Sequence, residues 1–267
     1  MPDPANASGS RVVLVIVNAD DLGMSTEVNE AIFDLMARGR LTSATLLANA
    51  PATEQAISPI SRFPQCSFGV HLNVVEYKPL SRSKGISELV DSEGNLQRLP
   101  MGFKFSPAIL QGIYTEFSAQ IEKLRARGVP ISHLDSHMHV HLNPPLFPVV
   151  KALQMKYGIR KLRMRHYLPL PGEQLPLERT LKLALQNWAL RHVGSGVTTD
   201  AGAELSKFVI AGPGLPPSVR TVETLTHPGN PHYSGDIALA LSPWESALPY
   251  RVRLISFNEL GRSTSVD

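Results

Sequence analysis

Two adjacent carboxylates, Asp20 and Asp21, close the apolar run "VVLVIV" (12–17) inside "VNADDLG". A buried strand ordinarily hands over to a turn through Gly, Asn or one Asp, and neighbouring carboxylates repel each other. Further on, "HLDSHMHVH" sets His137, His139 and His141 two residues apart. On an extended strand those side chains share a face, so at least two reach one point. With His133, this one segment holds four of the chain's nine histidines. Neutral imidazole is the commonest protein ligand for transition metals. Carboxylate and imidazole together suit a divalent ion such as zinc, which keeps a position open for water when catalytic. A bound cation would offset the repulsion between the aspartates and let them divide the work. One would hold the ion while its neighbour takes a proton from the attacking water. Alone, "NADD" fits an Asx-turn or a helix-capping loop equally well.

His71 in "SFGVHLNV" (67–74) and His227 in "THPG" (226–229) lie at the ends of other predicted strands. Cleaving an amide needs a proton donor for the leaving amine, and a histidine titrating near neutrality is the usual group. His227 is a candidate for that role, although a histidine before Pro-Gly also suits a plain turn. Arg163 in "KLRMR" could orient or tune the base carboxylate. Trp188 and Trp244 read as packing residues rather than sugar platforms. A glycosidase built on Asp20 and Asp21 is disfavoured, because its carboxyl groups must flank the scissile bond about 5 to 9.5 Å apart.

The elements that must position these groups alternate in type. "VVLVIV" predicts a strand buried on both faces. A helix follows over 25–38, with Ser25 as its N-cap and Gly39 as its stop. "SATLLANA" (43–50) predicts a strand, then comes a helix broken near Pro59. Phe68, Val70 and Leu72 alternate with Gly69, His71 and Asn73, the period of a strand. Residues 75–105 are irregular and polar, longer than most connections, and such loops are often functional. A helix over 107–127, a strand over 131–141, a helix over 145–158 and a strand over 159–165 complete the regular part. Beyond it the pattern suggests a helix near 177–193 and strands at 207–212 and 221–227. Such β-α alternation implies a parallel sheet, open or closed as a barrel, with chemistry at the carboxyl ends of its strands.

Composition narrows the classes. At 267 residues, 43% hydrophobic and 18% charged, the chain buries a full core. A net charge of +3 with no basic stripe gives no footprint for nucleic acid. Cys66 is the only cysteine, which excludes an intrachain disulfide and a thiolate metal site. No apolar stretch approaches the roughly 20 residues of a membrane span, and "MPDPANASGSR" lacks a basic-then-apolar leader. The expectation is a cytoplasmic protein with a flexible tail at 1–11 and a single domain over 12–267. Its proline-containing, loop-rich second half offers surface for a homodimer contact.

"VNADDLG", "GVHLN" and "HLDSHMHVH", in this order and with helices between, resemble the YdjC-like carbohydrate deacetylase family. The likeness covers about residues 12–165, with "HPG" as a further match. It implies a distorted parallel β/α barrel, TIM-like and related to the polysaccharide deacetylases. It also implies one divalent metal ion, Mg2+ or Zn2+, held by Asp21, His71 and His137. Asp20 becomes the general base and His227 the general acid. His139, His141, Asn73 and Arg163 become candidates for contacts with substrate or with the ligands. The implied substrate is a small carbohydrate, an N-acetylated amino sugar or short chitooligosaccharide-like chain that loses acetate. Residues 166–220 depart from the family pattern, and "PYRVRLISFNEL" matches it loosely, so substrate is less defined than chemistry. Phosphoester or cyclic-amide hydrolysis on the same frame, or a metal- and sugar-binding protein without turnover, are the rival readings.

Overall fold

Eight parallel strands curl around a polar interior, and every candidate group hangs from them or from the loops at their carboxyl ends. The computed structural model describes residues 11–100, 102–164, 168–194 and 196–261. The strands are β1 (Val12–Leu22), β2 (Ser43–Leu46), β3 (Ser67–Leu72), β4 (Ile131–Ser136), β5 (Lys161–Leu162), β6 (Ala201–Glu204), β7 (Thr221–Thr226) and β8 (Arg251–Leu254). Their order is β5-β4-β3-β2-β1-β7-β6, with β8 added to β1. β1 gives one edge to β7 and divides the other, β8 pairing along Val12–Val15 and β2 from Asn18 onward. The ring almost closes where Val197, just ahead of β6, bridges Lys161 of β5. The fold is a distorted, TIM-like parallel β/α barrel.

Helices α1 (Thr26–Ala37), α2 (Thr53–Ile57), α3 (Lys84–Ser87), α4 (Pro107–Ala126), α5 (Phe147–Tyr157), α6 (Leu177–His192), α7 (Leu205–Ala211) and α8 (Asp236–Leu241) occupy the connections. Local chemistry sets their ends. Ser25 Oγ accepts from Val28 N–H at 3.2 Å and Ser106 Oγ from Ile109 N–H at 3.2 Å, so each satisfies a donor the helix leaves open. Gly128 and Gly158 supply the left-handed residues that end α4 and α5, with φ of 78° and 68°. None of the described helices is long and apolar enough to cross a membrane.

Strand alternation sorts the core into two. Val13, Val15, Val17 and Ala19 of β1, with Phe68, Val70 and Leu72 of β3, face outward into the cluster packed under the helices. Leu14 and Ile16 face inward, where they join Val197, Ile255, Phe257 and Leu260 as an apolar plug. The His133 ring stacks on Phe257 at 3.7 Å between centroids, roofing the plug. A Cβ on Gly69 would come within 2.6 Å of that ring, so β3 has a glycine where the imidazole lies. Above His133 the inward residues are polar, and the site begins.

Several expectations are corrected. β1 runs past the apolar run through both aspartates: β7 pairs with it as far as Ala19, and β2 rejoins it at Leu22 after a shift in register. The strand of 43–50 ends at Leu46, and that of 131–141 ends at Ser136. His137–Leu142 instead forms a tight turn in which Met138 and His139 are left-handed, with φ of 51° and 53°. His137, His139 and His141 therefore share no strand face. Residues 207–212 are not a strand: Leu205, Phe208 and Ala211, three apart, bury one face of α7. The strand sits earlier, in the small residues of Ala201–Glu204, and β8 is a strand the pattern did not announce. Trp244 packs against Phe208 as expected, whereas Trp188 is 55% exposed and stacks on His192. The expected tail lies outside the described residues except for Arg11, whose guanidinium holds the carbonyls of Leu215 and Val219.

The irregular segment 75–105 is anchored rather than loose. Buried Glu116 of α4 accepts from the N–H groups of Leu80 and Ser81 at 3.0 and 2.7 Å. Gln120 closes on both backbone groups of Asn73. α3 then lies against α4 through glycines, since a Cβ on Gly112 would come within 2.7 Å of the Gly85 backbone. Backbone cannot move aside as a flexible side chain does. Gly112→Ala is expected to lower stability by about 1–3 kcal/mol in urea unfolding, the range for overpacking; a value near zero would show that α3 is free to shift.

Candidate active site

Asp21 reaches the site because β1 breaks its own rule. Successive strand residues point to opposite faces, yet the pairing of β1 with β2 slips between Ala19 and Leu22, and Asp21 adopts φ 66°. Such strain in a non-glycine residue costs on the order of 1–3 kcal/mol and persists only where surroundings enforce it. Here it sets both carboxylates at the carboxyl end of the barrel, each almost fully buried.

Asp21 Oδ1 lies 2.8 Å from His137 Nδ1 and 3.3 Å from His71 Nε2. One donor atom from each of the three residues falls within 4.8 Å of the others, a spacing that can hold a metal ion. Behind it, His71 Nδ1 is 2.7 Å from Asp135 Oδ1, and the Thr45 hydroxyl donates to Asp135 Oδ2 at 3.0 Å. A carboxylate on the far nitrogen fixes the ring and aims Nε2 at Asp21, the usual support of a metal-binding histidine. His137 Nε2 lies 3.4 Å from Glu76 of the anchored loop.

Arg163 organises the rest. Its guanidinium, fully buried, binds both oxygens of Asp20 at 2.7 Å, Asp135 Oδ2 at 2.9 Å and Glu223 Oε1 at 2.7 Å. Asn18 adds a further donor to Asp20 at 2.8 Å. His227 Nε2 stands 3.9 Å from Asp20 Oδ2, its backbone N–H donates to Asp236 Oδ2 at 2.7 Å while ring Nδ1 lies 3.7 Å from that oxygen, and its ring stacks on Tyr233 at 4.0 Å.

The electrostatics follow. Burial pushes the Asp20 carboxyl up, but Arg163 and the nearby histidines outweigh it and hold it well below the ordinary range. Burial likewise opposes ionisation of Asp21, and hydrogen bonds from His137 and His71 reverse that. Burial would depress His71, yet Asp135 and the aspartate pair raise it to about 10; His137 rises to about 8 through Asp21 and Glu76 against the same penalty. His227 is raised too, with Asp236 and Asp20 overcoming burial. His133 is the contrast, since burial pushes it down to about 3 and leaves it neutral.

A divalent ion fits this donor set. Four buried carboxylates, Asp20, Asp21, Asp135 and Glu223, face the single buried guanidinium of Arg163. Buried charge must be paired. Without an ion Asp21 is balanced by protons on His71 and His137, whose pKa values it raises, and a bound cation would take the place of those protons on the same three donors. A second group, Asp20, His71 and Asp135, also has ligand spacing. Its oxygens are already engaged by Arg163, which makes the first group the better site.

Of the residues singled out in the sequence, Asp20, Asp21, His71, His137, Arg163 and His227 converge. Three do not join them. Asn73 ties its own loop, its Oδ1 accepting from Val75 and Glu76 and its amide donating to the Glu76 carbonyl and to Asn49. His141 is buried, receives the Ser136 hydroxyl at Nδ1 and bonds the Arg163 carbonyl from Nε2 at 3.2 Å. It thereby holds the backbone of the arginine. His139 turns into a neighbouring cavity. Asp135, Glu223 and Asp236 were missed; Asp135 stands two residues after inward-facing His133, and Glu223 is the lone acid in "TVETLT", signals that strand parity could have exposed. Removing Arg163 strands three carboxylates in the barrel. Arg163→Met is expected to destabilise by about 3–5 kcal/mol, the range for breaking a buried ion pair, as read from denaturant unfolding; a loss under 1 kcal/mol would mean that the barrel does not depend on this network.

Comparison with known proteins places the chain. The YdjC-like protein family matches residues 14–247, and so takes in the stretch 166–220. A carbohydrate deacetylase of Halalkalibacterium halodurans is 36% identical over 147 residues, 54% of this chain and 61% of that protein, so the chain spans about three fifths of that relative. One of Brevibacillus brevis is 28% identical over 246 residues, 92% of each chain. A crystal structure of a proposed cellobiose-phosphate cleavage protein from Enterococcus faecalis V583 superposes with a TM-score of 0.70 at 21% identity, over 92% of this chain and 98% of that one. That likeness speaks for the fold alone. With a matching barrel, a family match over most of its length and the "ADD", "HLN" and "DSH" residues gathered at one end, this chain belongs to the YdjC-like family.

Proposed function

We propose that the protein is a metal-dependent deacetylase that hydrolyses the N-acetyl group of an amino sugar or short oligosaccharide, releasing acetate. The observation that carries this reading is the meeting of a carboxylate and a histidine across 3.9 Å, Asp20 and His227, beside the Asp21–His71–His137 triad. The carbohydrate deacetylases among its relatives support the substrate class. Asp21, His71 and His137 would hold the ion, which when bound supplies Lewis acidity to the acetyl carbonyl and to water. Magnesium and zinc are both compatible with this reading. The free, buried Cys66 is at ease in the reducing cytoplasm, where we place the reaction.

The chain's own groups account for the proton movements. Asp20, kept ionised by Arg163, accepts a proton from the attacking water as oxygen bonds to the acetyl carbon. Both oxygens of Asp20 lie against the guanidinium, so the carboxylate cannot rotate away from its task. His227, kept protonated by Asp236 and Asp20, delivers its proton to the departing nitrogen as the C–N bond breaks. Acetate and the free amine are the products. Tyr233 covers one face of His227 and limits access of bulk water to it.

Two outcomes are expected. Asp20→Asn retains the divalent ion but loses about 10²–10⁴-fold in turnover, the range of a general base, whereas Asp21→Ala loses the ion; metal content and acetate release from diacetylchitobiose measure both. Undiminished metal in Asp21→Ala would remove the ligand assignment. The second concerns pH. His227 must be protonated to act, so activity declines as pH rises through its elevated pKa. Asp236→Asn withdraws a negative charge, lowers that pKa and should move the alkaline limb of the kcat profile to lower pH; a limb that stays in place assigns it to another group.

A further inference from the structure

Asn73, the last residue of "HLN", takes no part in the proton transfers. Its side chain grips the chain just ahead of it. Oδ1 accepts from the N–H groups of Val75 and Glu76 at 2.9 and 3.2 Å, and Nδ2 donates to the Glu76 carbonyl at 2.9 Å. Asn49 Nδ2 donates to that same carbonyl at 3.2 Å and to the carbonyl of Lys78. Both backbone groups of Glu76 are therefore held, and Asn73 is itself pinned by Gln120 of α4. The next residue, Tyr77, is left-handed at φ 62° without being glycine. Strain of that kind persists where surroundings impose it and clusters at functional sites. What this hold presents is one side chain, the Glu76 carboxylate, with Oε2 3.4 Å from His137 Nε2.

The two candidate ligand histidines are backed in mirrored fashion. His71 turns Nε2 to Asp21 and gives Nδ1 to Asp135. His137 turns Nδ1 to Asp21, at 2.8 Å, and leaves Nε2 to Glu76. A neutral imidazole has one proton for two nitrogens, and the nitrogen that carries it has no lone pair to offer an ion. Asp21 alone would draw that proton to Nδ1, the nitrogen the site needs free. A carboxylate at Nε2 draws it to the far side instead. Carboxylates behind metal-binding histidines fix tautomer and ring orientation in this way. Glu76 is no fourth ligand: among the described residues the ligand-spaced group is Asp21, His71 and His137 without it.

We infer that Glu76 is a positioning residue that selects the Nε2–H tautomer of His137, leaving Nδ1 free for the ion, and that Asn73 serves the site by presenting it. The inference rests on the metal-dependent deacetylase reading and adds to it a task for the anchored loop.

Zinc affinity, measured by competition with a chromophoric chelator, tests this in wild type, Glu76→Ala, Glu76→Gln and Asn73→Ala. The Glu76 side chain is 48% exposed, so its removal should leave the urea midpoint of the metal-free protein in place. Zinc affinity should nevertheless fall about tenfold, the lower end of the range for losing such a carboxylate. Glu76→Gln, which keeps an acceptor oxygen, should recover most of it. Asn73→Ala should weaken zinc as well, and adding Glu76→Ala to it should cost little more, because both act through one ring. Losses that simply add overturn the link to Asn73. Unchanged affinity in Glu76→Ala overturns the inference while the metal site stands. Should wild type bind no zinc, the metal-dependent reading fails instead. The ring nitrogen NMR shifts of His137 at alkaline pH then decide: a ring that passes from Nε2–H to Nδ1–H in Glu76→Ala supports the tautomer assignment, and identical shifts in both proteins overturn it.

Discussion

One buried guanidinium holds the centre of this barrel together. Arg163 comes from the end of β5, Asp20 from β1, Asp135 from β4 and Glu223 from β7. Its planar fork meets three carboxylates at once, a geometry that a lysine ammonium could not reproduce. Each partner alone would be a charge stranded in a closed space; together they lock four strand ends at one height. His141 secures the arginine from behind through its carbonyl, so even the backbone of that short strand is held. The frame of the site is therefore an ion network first, and Asp21, His71, His137 and His227 are placed around it.

The barrel interior is graded from bottom to top. Ile16, Ile255, Phe257 and Leu260 seal one end, and His133 caps them as a neutral aromatic surface. Above lie the arginine network, then Asp21 with its two histidines, then the loops. Water is shut out from below, which strengthens each charge interaction above it. The same inward parity of β1, Leu14, Ile16, Asn18, Asp20, passes from oil to amide to carboxylate along one strand.

Four described non-glycine residues are left-handed, Asp21, Tyr77, Met138 and His139, and Asp21 and the last two shape the centre directly. The first turns Asp21 toward His71 and His137 while its neighbour Asp20 meets Arg163. The other two end β4 abruptly and send consecutive histidines to different tasks, His137 to Asp21, His139 to the cavity, His141 to Arg163. Network rigidity is what sustains such strain, since surroundings that yielded would let the backbone relax.

Much of this was legible in one dimension. The apolar run before Asp20, the alternation around His71 and the helical spacing of 107–127 each bury a face, and burial repeats with the period of the element that achieves it. Residue type did the same for chemistry: carboxylates and imidazoles at strand ends have few uses besides metal binding and proton transfer. What stayed hidden was non-local. The distinction between α7 and a strand at 207–212 depended on which face found a partner, and β8 exists because β1 offers it an edge. Asp135 and Glu223 became part of the site only when the sheet curled and brought β4 and β7 to the same arginine. Sequence thus determined which groups were available and the period on which they sit; tertiary structure decided which of them meet, because buried charges find their partners across strands and not along the chain.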